Sequence, residues 1–160
     1  MGDGARTGGG GTAGGATGSW SSANLAYYYP FWLPCQYTVR RVFWGNGSTV
    51  TGNKDFGIYT ADGTLLYSTG STGESGASAI QYVTPTAFVL SPGRYYMAVS
   101  CSATTNHGWI LPGSSLARTA LAGGLVQASA LPLPATATFA TMSGNSGILL
   151  CGITQTASSF

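Results

Sequence analysis

The sequence predicts an all-β fold: an antiparallel β-sandwich, jelly-roll-like, preceded by a glycine-rich extended N-terminal arm. Three observations predict it. Short segments dense in Tyr, Phe, Val and Ile recur roughly every 10 to 15 residues, turn residues separate them, and no stretch carries the 3.6-residue period of a helix. Residues 1–19, MGDGARTGGGGTAGGATGS, hold no large apolar side chain beyond Met1. Such a segment buries too little surface to offset its ordering entropy by itself, so it reads as an arm, and residues 20–160 read as a single sandwich domain. In the arm, Gly8, Gly9, Gly10, Gly11, Gly14 and Gly15 lack a Cβ and suit backbone threaded closely along another chain.

The elements follow in order. Leu25 to Leu33, LAYYYPFWL, is interrupted by Pro30, which a strand tolerates only at an edge, a start or a bulge. The expectation is an edge strand over Ala26 to Tyr29 and a second extended piece after the proline. Its tyrosines and Trp32 suit core or subunit packing better than a sugar platform. Tyr37 to Trp44 reads as one strand, closed by Gly45-Asn46-Gly47-Ser48. Lys54 to Thr60 and Thr64 to Ser68 form the strongest hairpin, because Asp62-Gly63 supplies the positive φ that short loops require. Ser71 to Ser78 is a polar loop, and Ala79 to Val83 and Ala87 to Leu90 are strands.

Pro92-Gly93 then turns the chain into the most legible strand, Arg94 to Cys101. Tyr95, Met97, Val99 and Cys101 fall on its core face, and Arg94, Tyr96, Ala98 and Ser100 on the other. Trp109 to Leu111 is a short apolar piece, Ser115 to Ala130 is a loop or a helical turn, and Leu131-Pro132-Leu133-Pro134 is extended. Thr136 to Met142 and Gly147 to Ile153 are expected to pair with each other through Ser143-Gly144-Asn145-Ser146.

Composition limits function. At 160 residues the chain fits one domain, and charged residues make up 6% of it, against about 25% in ordinary globular proteins. Six basic residues, scattered but for Arg40-Arg41, build no stripe for phosphate neutralisation, so nucleic acid is not an expected partner. No apolar run reaches the roughly 18 residues of a membrane helix, and the N-terminus resembles no signal peptide. The expectation is synthesis in a cytoplasm and no membrane partner. Cys35, Cys101 and Cys151 show no paired spacing; they read as three buried reduced thiols, with one disulfide (Cys35 to Cys101 or Cys101 to Cys151) as the alternative.

Catalytic constellations are weak. His107, the only histidine, lies in a polar loop away from any nucleophile pattern and reads as exposed or as part of a contact. Of the four carboxylates, Asp3 lies in the arm, Asp62 in a turn and Glu74 in a loop; Asp55 and Asp62 flank the hairpin, but the Asp-Gly turn accounts for Asp62 without glycosidase chemistry. Calcium and zinc spacings and a phosphate loop are absent from the sequence, and no cofactor is expected. Asn46-Gly47-Ser48 matches a glycosylation acceptor that has no use without secretion. What remains is a binding surface, for which Trp44, Asn46, Tyr96, His107 and Trp109 are the candidates, being residue types that stack on sugars or bury at interfaces.

The run YTVRRVFWGNGSTVTGNKDFGIYTADGTLLYSTGST, followed by LSPGRYYMAVS, resembles a β-sandwich module of bacteriophage structural proteins over roughly Leu25 to Ser102. That resemblance implies a non-enzymatic virion protein, either capsid decoration or minor head protein or a tail or fibre domain. Its implied partners are a major capsid or tail protein and copies of itself, with glycan recognition on a fibre, or by a lectin-like module, as the alternative. No catalytic residue is implied.

Overall fold

The structure, a computed structural model, describes residues 16–105, 107–110, 122–142 and 148–156. These form fourteen strands and no helix, and every strand pairing is antiparallel. The principal sheet has the order β13-β12-β2-β10-β5-β6, with β7 added to β5. Its strands are β2 (Leu25–Leu33), β5 (Asn53–Thr60), β6 (Leu65–Ser68), β7 (Thr72–Gly73), β10 (Gly93–Cys101), β12 (Leu125–Gln127) and β13 (Ala140–Thr141). Strand β10, the Pro-Gly strand, lies at its centre between β2 and β5.

Period two decides what each face of this sheet buries. Tyr27, Tyr29 and Leu33 of β2, Phe56 and Ile58 of β5, and Tyr95, Val99 and Cys101 of β10 share one core. Over it lie the smaller sheets β3 (Tyr37–Val39) with β9 (Phe88–Leu90), and β14 (Cys151–Thr154) with β4 (Arg41–Gly45) and β8 (Ile80–Val83). They contribute Val39, Val42, Trp44 and Leu90. Strands β1 (Ala16–Ser19) and β11 (His107–Ile110) pair separately, and bridges from Gly108 to Asn46 and from Ile110 to Leu149 join β11 to this layer.

The other face is covered too. Ala26, Tyr28, Tyr59 and Ala98 pack under Ala130 and Leu133, with Tyr96 and Phe139 alongside. The covering segment is stitched down by main-chain groups: Leu133 N–H donates to Asp55 Oδ2 at 2.9 Å, and Tyr59 O–H donates to the Pro134 carbonyl at 2.7 Å. Gly57 makes this approach possible, since a Cβ there would lie 2.6 Å from Leu133 Cδ1. The expected core face of β10 is therefore correct, and its reverse face carries a second, smaller core.

Several expectations are corrected. Pro30 does not split β2: the strand is continuous and pairs with β10 along its whole length. Strand β12 covers only Ala26 to Tyr28 on the opposite side, so Pro30 sits where no ladder donor is required. Conversely, Tyr37 to Trp44 is two strands in two sheets. Its buried apolar side chains are Val39, then Val42 and Trp44, and the spacing of three between the first two breaks the alternation at Arg40-Arg41. The last two segments do not pair with each other; β13 joins β12, and β14 joins β4. The end of Ser115 to Ala130 supplies strand β12, and Thr72–Gly73 within the polar loop supplies β7. The predicted arm ends sooner than expected, because Ala16–Ser19 is a strand; Gly8, Gly9, Gly10, Gly11, Gly14 and Gly15 lie outside the described residues.

Candidate functional site

Among the described residues, chemistry gathers in an open cleft on the reverse face of the principal sheet and in a buried polar cluster between the two layers. The cleft, about 530 Å³, is lined by Pro30, Phe31, Trp32, Ala61, Arg94, Tyr95, Tyr96 and Gly123. Its position follows from register. Trp32 stands opposite Arg94, and Pro30 opposite Tyr96, across the β2/β10 ladder. These four continue the row begun by Tyr28 and Ala98 beyond the end of the covering segment, where Phe139 packs on Tyr96 with ring centroids 4.7 Å apart. Trp32 is consequently 68% exposed, the most exposed large apolar residue among those described. Behind it, on the main-core side of the sheet, Phe31 stacks on Tyr95, whose hydroxyl donates to the Ser91 carbonyl at 2.8 Å. An exposed indole beside a guanidinium can stack on a sugar ring or an aromatic ring while Arg94 binds an oxyanion.

The second place is occluded. Lys54 of β5 is buried, with Nζ 2.5 Å from Glu74 Oε1, 3.2 Å from Asn46 Oδ1 and 5.8 Å from the centre of the Trp20 ring. The Lys54–Glu74 contact is an ion pair without hydrogen-bond alignment, and Glu74 Oε2 has no hydrogen-bond partner among the described residues. The Asn46 amide nitrogen donates to the Ser75 carbonyl at 2.7 Å and to Gln81 Oε1 at 3.0 Å, which fixes the plane of the amide. Gln81 in turn donates to the Gly73 carbonyl and accepts from Ser75 N–H. The loop that brings Glu74 inward is thus clamped at Gly73 and Ser75.

Asp55, next along β5, has its own setting on the reverse face. It accepts from Ser68 Oγ at 2.7 Å, from Thr69 Oγ1 at 3.1 Å and from Leu133 N–H. Asp62 is fully exposed in the hairpin turn, where the Thr60 hydroxyl and Thr64 N–H hold its carboxyl below the usual carboxylate range. Among the described residues no group of three or more His, Cys, Asp or Glu side chains is placed to hold a metal ion.

The predicted contact residues do not form one surface. Trp44 and Asn46 are buried, 1% and 0% exposed, which corrects their reading as surface residues. Trp44 has the parity of Val42 and points into the main core, while Asn46 serves the Lys54 cluster. Trp109 is half-buried against Gly45, where a Cβ would lie 2.9 Å from its side chain. Tyr96 does line the cleft, and the backbone of His107 enters β11; its side chain lies outside the described residues. Trp32, expected in core or subunit packing, is not in the core and stands out into solvent. The signal that finds it is its parity with Tyr28 and Pro30, which puts it on the reverse face. None of the three cysteines is in a disulfide, and Cys35 is exposed rather than buried.

No family model matches the chain, no curated protein matches it and no solved structure matches it.

Proposed function

We propose that this chain is a non-enzymatic structural protein of a bacteriophage particle, a β-sandwich that docks onto a capsid or tail surface through the glycine-rich segment ahead of β1. The observation that carries this reading is the anchoring of that segment's end. Ala16–Ser19 pairs residue for residue with β11, and the next residue, Trp20, is buried with its indole N–H donating to the Leu25 carbonyl at 2.7 Å. A segment that leaves a two-layer scaffold from a pinned strand can transmit a docking contact to the whole domain. The buried charges support the same reading, since Asp55, Lys54 and Glu74 are engaged within the sandwich. Deleting residues 1–15 is expected to abolish incorporation into particles while the thermal transition of the domain is retained. Normal incorporation of the truncated chain overturns the proposal.

The exposed Trp32 beside Arg94 favours a second reading, recognition of a surface glycan by a fibre or lectin-like module. On a glycan array this predicts binding that Trp32→Ala removes and Trp109→Ala spares. An array on which the intact chain binds no sugar eliminates that reading.

A further inference from the structure

We propose that Lys54 and Asn46 become joined by an intramolecular amide bond, with Glu74 as the proton carrier. The three groups come from separate places, β5, the turn after β4 and the residue after β7, and converge between the layers of the sandwich. Lys54 is 1% exposed, Asn46 is 0% exposed, and the side chain of Glu74 is 0% exposed. A buried ion pair is a poor source of stability, because desolvation offsets most of the attraction. A chain with six basic and four acidic residues nevertheless places one of each here, beside a carboxamide.

The geometry suits aminolysis of that carboxamide. Asn46 Oδ1 lies 3.2 Å from the Lys54 nitrogen, so Cγ, one C=O bond of about 1.2 Å further on, lies roughly 3.4 to 4.4 Å away, and a small side-chain shift brings it to the roughly 3 to 3.5 Å of attack. The Ser75 carbonyl and Gln81 hold the amide nitrogen on its other side and keep the carbonyl turned toward the amine. Glu74 touches the amine with Oε1, and its Oε2 has no hydrogen-bond partner among the described residues, so the carboxylate can accept a proton and pass it on.

The step balances without any further reagent. Glu74 takes a proton from the Lys54 ammonium, and the freed lone pair attacks Cγ of Asn46 to form the new N–C bond. The tetrahedral carbon then collapses, breaking its bond to Nδ2. Lys54 gives up two protons in all, and both end on the departing nitrogen, one of them by way of Glu74. Ammonium leaves, and Glu74 is again a carboxylate. One amide replaces another, water is excluded from the competing hydrolysis, and loss of ammonium to solvent draws the reaction forward. The product ties the end of β4, in one layer, to β5 in the other.

Intact-mass measurement on the denatured full chain decides the matter. The folded wild type is expected to be lighter than its sequence by one ammonia, and trypsin, which cannot cut after an acylated lysine, is expected to release one peptide running from Val42 to Arg94. Lys54→Met and Glu74→Gln are expected at full sequence mass. A wild type at full sequence mass overturns the proposal even if both variants fail to fold. So does an ammonia loss that persists in Lys54→Met, since that loss belongs to cyclisation of Asn46 onto the Gly47 nitrogen.

Discussion

Asp55 shows how a residue type that suggests chemistry can be absorbed by structure. Fully buried, it accepts from two hydroxyls and from Leu133 N–H, thereby tying the end of the hairpin to the segment that covers the reverse face. Replacing it by alanine strands that N–H. Asp55→Ala is expected to lower stability by about 3 kcal/mol, the cost of leaving buried hydrogen-bonding groups unmade, as read by urea unfolding at neutral pH. Stability unchanged within error contradicts this role. The thiols give a second check at the same scale. Burial pushes the Cys151 thiol up to about 12, with Lys54 nearby pulling the other way. Cys35, which is exposed, is therefore expected to react with a thiol reagent at once, Cys151, half-buried and with its thiol pushed up, more slowly, and buried Cys101 only on unfolding. None of this was legible residue by residue. Lys54, Asn46 and Glu74 look like surface polar groups in sequence because nothing local records that β5, the turn after β4 and the loop after β7 meet.

Elements were more legible than their partners. The Asp-Gly hairpin and the Pro-Gly strand stand out because turn chemistry and a period of two are local properties. The break within Tyr37 to Trp44 was also written there: Val39 and Val42 cannot face one core on an unbroken strand. What the sequence does not carry is the choice of neighbour, as when β14 joins β4 instead of the adjacent β13. Strand β1 was hidden because Ala-Thr-Gly-Ser has no apolar pattern; its Gly18 lies against Ile110, where a Cβ would meet the side chain at 3.3 Å. Deleting residues 1–15 is expected to leave the melting temperature unchanged. Deletion through residue 19 removes β1 and is expected to lower it, by about 3 °C for each kcal/mol lost; equal melting temperatures would mean that β1 contributes nothing.

At the scale of the whole molecule, alkaline pH is a stress to which this fold is exposed. Burial raises the hydroxyls of Tyr28, Tyr29, Tyr37, Tyr59 and Tyr67 above their ordinary value, Tyr28 to about 12, and Cys151 behaves likewise. The folded chain keeps protons that the unfolded chain releases, so this contribution is complete below the unfolded values and is lost progressively as pH rises from them through the raised folded values. The urea midpoint is expected to fall steeply above about pH 10, the ordinary tyrosine value. A midpoint flat from neutrality to pH 12 would show that these hydroxyls ionise as readily in the folded chain as in the unfolded one. The all-β class was readable because composition and turn spacing are global. The two-sided burial of the principal sheet was not, since it depends on a cover that has little pattern of its own.

That cover has a bearing on how the protein behaves in a crowd of its own copies. Any open sheet offers unpaired main-chain groups at its rim, and these invite strand-by-strand growth into aggregates. Here β6 forms one rim, and beside it Leu65 N–H already donates to the Ala135 carbonyl, Ala137 N–H donates to Gly63, and Thr64 bridges Thr136. At the opposite rim β13 is only two residues long. One margin of the principal sheet is partly occupied and the other offers almost no template, which lowers the tendency of this sheet to grow strand by strand.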